Sequence, residues 1–330
     1  MITSKTPLRM SFVGGGSDLP SYYEYAGGAV LSTTINKFIY INVNKKFDDN
    51  IRVSYSITEL VDRVKKLKHP IVRNVLTQMG IERGIEITSI SDIPSTGTGL
   101  GSSSAFTVGL LNALHTYKGG MVSKEELAQL ACHIELNLCA ETIGKQDQYA
   151  AAYGGINLIE FNIDGSVNVI PLGLSQTTIS KINESLLCFY TGKSRSANEI
   201  LKGQSNVMGQ KEKRKIIDKM VSFTHKLKKA LECDDLEYFG EILDLNWKFK
   251  RQLTSRISDF EIDEWYSRGI KAGAYGGKIL GAGGGGFLMF FAPKENHPVI
   301  IEQLSQLKRV DFATVNEASS IVYNSFIKEP

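Results

Sequence analysis

The run Ile93-Pro94-Ser95-Thr96-Gly97-Thr98-Gly99-Leu100-Gly101-Ser102-Ser103-Ser104-Ala105 sets the tightest limit on what this 330-residue chain can build. Before it, Ile85-Glu86-Ile87-Thr88-Ser89-Ile90 alternates in polarity, as a strand with one buried face does. After it, Phe106 to His115 carries apolar residues at helical spacing. The run is therefore a strand–glycine loop–helix junction. Glycines let the backbone approach a bulky anion, and the helix start offers unpaired N–H groups with partial positive charge. Its three serines can cap the helix, contact phosphate or hold a metal. A serine-capped tight turn is the plainer alternative, although such a turn needs only one or two glycines.

Composition narrows the class of protein around that junction. The length favours two domains or one large one. Hydrophobic content of 42% and charged content of 22% suit a soluble globular chain. A net charge of +3 is too mild to argue for nucleic acid or membrane as a partner. The N-terminus has no signal-peptide core, and no apolar run has membrane-spanning length, so a cytoplasmic location is expected. Cys132, Cys139, Cys188 and Cys233 follow neither a metal-ligand nor a disulfide-framework spacing.

Along the chain, Pro7 to Val13 alternates as a strand and Gly14-Gly15-Gly16-Ser17-Asp18 breaks it. That loop either brings backbone and a carboxylate against a polar small molecule or is a plain hairpin turn. Strands follow over Ala29–Asn44. Thr58, Leu60, Val61, Val64 and Leu67 predict a helix, which His69-Pro70 ends before another over Ile71–Met79. Ser123 and Glu126 form a capping box for a helix running to Leu138. Glu135 on that helix reads as a solvated residue unless a cation needs it. Asp147, just after Gly144, sits where a carboxylate can be held rigidly. A hairpin is expected over Ile156–Phe161 and Val167–Pro171. The polar stretch Leu174–Glu184 predicts a division into 1–180 and 181–330. Lys193 and Arg195 are either anion contacts or part of a solvated loop. Lys211 to Leu231 is basic, with its lysines on the outer face of an amphipathic helix. A second glycine cluster, Gly276 to Gly286, feeds the apolar strand Phe287–Phe291.

Three stretches in this order resemble the signatures of the GHMP kinases, a superfamily that includes galactokinase, homoserine kinase and mevalonate kinase. They are Pro7-Leu8-Arg9 through Asp18, Pro94 through Ala105, and Leu280 through Phe287. Within that superfamily, three further features are similar to D-glycero-D-manno-heptose 7-phosphate kinases: Gly14 through Tyr23, Gln146-Asp147-Gln148-Tyr149, and Tyr190 through Ala197. L-fucose kinases share much of the pattern. The usual Thr-Asp after the glycine triplet is Ser17-Asp18 here, which keeps the hydroxyl.

The resemblance implies an α+β chain of two domains, the first like domain 2 of ribosomal protein S5 and the second ferredoxin-like. It implies ATP-dependent phosphorylation of the anomeric hydroxyl of a sugar phosphate, with ATP and Mg²⁺ as cofactors and no nucleic-acid or membrane partner. A homodimer is compatible with it. A non-catalytic sugar or nucleotide sensor on the same fold is the alternative. Gly97, Gly99, Leu100, Gly101, Ser102, Ser103 and Ser104 would hold the ATP phosphates, and Ser103 and Glu135 the metal. Asp147 would accept the proton of the sugar hydroxyl, with Arg9 facing it and the migrating phosphoryl group. Gly15, Gly16, Ser17, Asp18, Arg195, Gly283 and Gly284 would contact substrate.

Overall fold

The computed structural model describes residues 1–94, 97–194 and 196–325. Its framework is the long strand Gly28–Lys45, eighteen residues of mostly buried β-formers. Along one edge it pairs antiparallel with Ile2–Val13. Its other edge is shared between Ile156–Phe161 near the start and Ile85–Ser91 near the end. The described residues complete a nine-stranded sheet in which only Ile51–Ser54 and Ile85–Ser91 run parallel.

Helix Ser102–Tyr117 lies across the two central strands. Gly109 permits the close approach, since a Cβ there would stand 2.7 Å from Thr6 Oγ1. Ser4 Oγ donates to the Gly109 carbonyl at 2.8 Å. Both contacts fix how closely the helix rests on the sheet.

A second, four-stranded antiparallel sheet runs in the order Lys308–Arg309, Leu186–Tyr190, Phe287–Phe291, Gly276–Ile279. Helices Lys211–Glu232, Leu236–Arg251 and Phe260–Lys271 accompany it. Strand Phe287–Phe291 is apolar throughout because both of its faces are buried. Leu288 and Phe290 point into a core with Trp247 and Tyr266, whereas Phe287, Met289 and Phe291 join the core of the first sheet. The two units of this α+β architecture thus share one strand as a common wall.

The closing strands Thr314–Val315 and Ser320–Asn324 return to the first sheet, pairing with Gly28–Lys45 and Ile2–Val13. A boundary at 180 leaves them with the wrong sheet, so we propose that the first unit comprises 1–180 together with these strands. The helix expected over Thr58–Leu67 is instead the strand Thr58–Val61 followed by a 3₁₀ turn at Val64–Lys66. Thr58–Val61 forms a hairpin with Ile51–Ser54, which leaves Leu60 62% exposed and turns Glu59 inward. Pairing overrode the helical spacing. Among the described residues no helix is long and apolar enough to cross a membrane.

Candidate active site

A cavity of about 580 Å³ opens where the two units meet. Arg9 reaches it from strand Ile2–Val13, and its backbone N–H donates to the Leu100 carbonyl at 3.0 Å, so the glycine loop lies beside the strand. Gly101 caps helix Ser102–Tyr117 with φ +74°, and among the described residues no side chain bonds the first N–H groups of that helix. Those donors face the cavity, as an anion cradle requires.

Arg9 binds Asp147 through two parallel hydrogen bonds, Nε to Oδ1 at 2.7 Å and a terminal nitrogen to Oδ2 at 2.6 Å. Its other terminal nitrogen donates to the Gly99 carbonyl at 2.6 Å. Asp147 stands in the first turn of helix Gln146–Tyr153 with its carboxylate 23% exposed to the cavity. One guanidinium therefore ties the Asp147 carboxylate to the glycine loop. A fork-to-fork pair of this kind fixes orientation as well as charge.

Glu135 lies in a π-helical turn, His133–Leu138, that continues helix Lys124–Cys132. It is fully buried, which corrects the solvated-face reading. Ser103 Oγ donates to one carboxylate oxygen at 2.7 Å and Gln148 Nε2 to the other at 2.7 Å. Burial pushes the carboxyl up to about 6, against the hydrogen bonds from Ser103, Ser104 and Gln148. No ion-pair partner of Glu135 is found among the described residues. A buried carboxylate beside an exposed serine hydroxyl at the mouth of an anion cradle suits a hard cation with oxygen ligands. The described residues hold no cluster of three or more His, Cys, Asp and Glu able to cage a metal, so such an ion would share its shell with phosphate and water.

Asp18 is 4% exposed and accepts from the backbone N–H groups of Gly16 at 3.0 Å and Gln146 at 3.4 Å. Burial raises its carboxyl, and the Asp147 charge raises it further. Gly144 must be glycine for this carboxylate to fit, since a Cβ there would fall 1.8 Å from Asp18 Oδ2. Gly15, Gly16, Gly97, Leu100, Ser102, Ser104 and Gly283 also line the cavity.

Three expectations are altered. Ser17 is fully buried, and its hydroxyl both donates to the Ala29 carbonyl and accepts from the Ala29 N–H, at 3.0 Å each; it stays outside the cavity wall. Gly284 donates to the Ile257 carbonyl at 2.8 Å and is likewise absent from the wall. Lys193 is committed to Asp259 at 2.7 Å and to Glu261, so it is no anion contact. Arg195, with Ser95 and Thr96 of the loop, lies outside the described residues.

Lys250 went unnoticed in the sequence. It follows Phe239, Leu243 and Trp247 on the buried face of helix Leu236–Arg251, and that spacing is the signal that could have found it. Its ammonium lines the cavity and donates to the Gly281 carbonyl at 2.5 Å. A neighbouring cavity of about 670 Å³, walled by Leu19, Tyr23, Cys132 and Lys145, has neither glycine loop nor the Arg9–Asp147 pair.

Comparison with known proteins agrees with this geometry. The family model for the N-terminal domain of GHMP kinases matches residues 62–155, and that for the C-terminal domain matches 227–308. A D-glycero-alpha-D-manno-heptose 7-phosphate kinase from Campylobacter jejuni is 30% identical over 305 residues, 88% of this chain and 89% of its own. A bifunctional fucokinase/GDP-fucose pyrophosphorylase from Arabidopsis thaliana is 26% identical over 87% of this chain, which spans 29% of that protein. The crystal structure of a D-glycero-D-manno-heptose 1-phosphate kinase from Bacteroides thetaiotaomicron superposes with a TM-score of 0.80 at 24% identity, covering 98% of this chain and all of that one.

Proposed function

The chain belongs to the GHMP kinase family, and on that premise we propose that it is a sugar kinase carrying the γ-phosphoryl group of ATP to the anomeric (C1) hydroxyl of a sugar phosphate. D-glycero-D-manno-heptose 7-phosphate, giving the 1,7-bisphosphate, is the foremost acceptor. The observation that carries the reading is the Arg9–Asp147 pair, set between the glycine loop and the Asp18 loop in one cavity.

Phosphoryl transfer needs alignment and charge neutralisation more than covalent participation by the protein. The open N–H groups at Ser102 to Ser104 hold phosphate oxygens. Each Asp147 oxygen spends one lone pair on Arg9 and keeps another for the acceptor hydroxyl, whose proton it takes as attack proceeds. Arg9 holds that carboxylate in place and offsets the charge developing on the phosphoryl group. Asp18 receives hydrogen bonds from sugar hydroxyls, and Arg195 is the proposed contact for the sugar's own phosphate. Ser103 and Glu135 would hold a Mg²⁺ ion, which supplies charge neutralisation on the phosphates.

The test is ATP consumption with a panel of heptose 7-phosphate, heptose, L-fucose, galactose and mevalonate. Turnover with the heptose 7-phosphate at least tenfold above the others supports the reading. Preference for mevalonate, or no turnover with any sugar, sinks it.

A further inference from the structure

The cavity wall holds three buried polar side chains that the transfer chemistry leaves unused. Lys250, Ser11 and Gln204 are 3%, 2% and 1% exposed, and all three line the wall. They arrive from separate elements: helix Leu236–Arg251, strand Ile2–Val13 and helix Ala197–Val207. Ser11 Oγ and Gln204 Oε1 have no hydrogen-bond partner among the described residues. Among the described residues Gln204 Nε2 reaches only the Ala282 carbonyl, at 3.5 Å. Among the described residues the Lys250 ammonium makes a single bond, to Gly281, and so retains two donors.

Buried polar atoms are ordinarily satisfied, so two orphans and a half-used ammonium in one wall need a partner. The glycine triplet leaves room for it. A Cβ on Gly15 would lie 3.7 Å from Ser11 Oγ and 3.9 Å from Lys250 Nζ, and one on Gly16 would lie 3.2 Å from Gln204 Oε1. The space in front of these atoms is thus kept open by the loop that also carries Asp18.

Resting on the sugar-kinase reading above, we propose that Lys250, Ser11 and Gln204 form a subsite for acceptor hydroxyls remote from the reacting oxygen. Its occupant is a neutral polyol; the substrate's own phosphate does not sit there. The mixture of donors and acceptors carries the second half of the proposal. Lys250 donates, Ser11 does either, and Gln204 Oε1 accepts, with the Asp18 carboxylate alongside. A hydroxyl satisfies both kinds of group, whereas a phosphate would set its oxygens against Gln204 Oε1 and Asp18. Charge agrees: along the wall the cations Arg9 and Lys250 are set against the carboxylates Asp18, Asp147 and Glu141, and the buried Lys278 nearby gives its ammonium to the Ser11 and Phe12 carbonyls, which leaves no surplus for an anion. Burial lowers the Lys250 ammonium to about 8, with Asp18 and Asp147 opposing the shift, so it stays a cationic donor at neutral pH.

Wild type, Ser11→Ala, Gln204→Leu and Lys250→Met are compared in steady-state kinetics with the acceptor sugar, its monodeoxy analogues and its dephosphorylated form, alongside thermal melting. Ser11→Ala deletes a hydroxyl with no partner among the described residues, so it is expected to melt as wild type does, and it decides the matter even where Lys250→Met fails to fold. The expected result is a sugar KM raised about fivefold in Ser11→Ala and more than about thirtyfold in Lys250→Met, with the ATP KM unchanged. The wild-type penalty against one remote deoxy analogue should shrink in the variants. Unchanged sugar KM and deoxy profile in variants that fold, beside an active wild type, would overturn the subsite and reduce Lys250 to a strut for Gly281. If Lys250→Met instead abolished the preference for phosphorylated over dephosphorylated sugar, the neutral-polyol assignment would fall. A wild type that phosphorylates no sugar would overturn the sugar-kinase reading and the subsite with it.

Discussion

Gly99 and Gly281 come from loops 182 residues apart in sequence and pack backbone against backbone: a Cβ on Gly281 would lie 2.5 Å from Gly99 Cα, and one on Gly99 would lie 2.3 Å from the Leu280 carbonyl oxygen. The contact joins the two glycine clusters into one wall. It also connects charges across it, because the Gly99 carbonyl accepts from Arg9 and the Gly281 carbonyl from Lys250.

Gly281→Ala tests that contact. The residue sits at φ +72°, where an added Cβ is strained, and the methyl would drive into Gly99. We expect a loss of roughly 2 kcal/mol or more in stability from strain and clash together. Turnover should fall further than stability predicts, because a displaced Gly99 releases its hold on Arg9. Melting and kcat at a temperature where the variant is fully folded separate the two effects. A variant with wild-type kcat would show that Gly99 does not position the guanidinium.

Asp147→Asn keeps the side-chain volume and removes the proton acceptor. The variant should fold, retain its ATP KM, and lose roughly 10²–10⁴-fold in kcat, the usual scale for a positioned base. Arg9→Lys keeps the charge but cannot reproduce the two-pronged bond to Asp147 and the third bond to Gly99. Its kcat should fall with little change in ATP KM. Near-wild-type turnover in Asp147→Asn would mean that the hydroxyl attacks without that base.

Glu59 carries the third prediction and shows where local pattern misleads. The spacing Leu60–Val64–Leu67 reads as a helix face, yet the hairpin exposes Leu60 and buries Glu59 to 7% exposure. Its carboxylate accepts from the backbone N–H of Lys68 at 2.6 Å, that of His69 at 3.1 Å and the Tyr55 hydroxyl at 2.9 Å. Burial alone would raise the carboxyl, but these hydrogen bonds and the nearby His69 hold it below its ordinary value of 4.5. A depressed folded-state value means stability that is full above about pH 4.5 and lost as pH falls through the lowered value. Glu59→Gln should cost about 1–3 kcal/mol near neutrality and flatten the acid limb of the stability curve. An unchanged acid limb would rule out Glu59 as its source.

The parts of the site written as contiguous motifs were legible: the glycine loop, the serines at the helix start, Asp18, Asp147 and the second glycine cluster all meet in one cavity. Backbone geometry dominates in such loops, so residue type and local order carry the information. What escaped was set by burial and by distant partners. Ser17 spends its hydroxyl on Ala29 of the next strand, and Glu135 is buried where Ser103 and Gln148 converge on it. Neither pairing leaves a trace in local spacing. The closing strand Ser320–Asn324 alternates as a strand should, but its partner was equally hidden, since that is the first strand of the chain.

Lys250 gives the last prediction, in the thermodynamics of the free protein. Asp18, Asp147 and Arg9 face it, with the buried Lys278 nearby; burial, with the Arg9 charge acting in the same direction, outweighs the two carboxylates and brings its ammonium down to about 8. The unfolded chain holds that proton up to the ordinary 10.5, so between about pH 8 and 10.5 the unfolded state binds more protons than the folded one. Stability from this group must then rise with pH across that window, with the full penalty of the buried charge present below it. Lys250→Met removes the titration. Denaturant unfolding of wild type and variant at pH 7, 8, 9 and 10 should therefore show wild type gaining on the variant from pH 8 upward. Parallel curves across that range would mean that the ammonium is as well solvated in the folded cavity as in water, and that ordered solvent already meets the donors Lys250 leaves open.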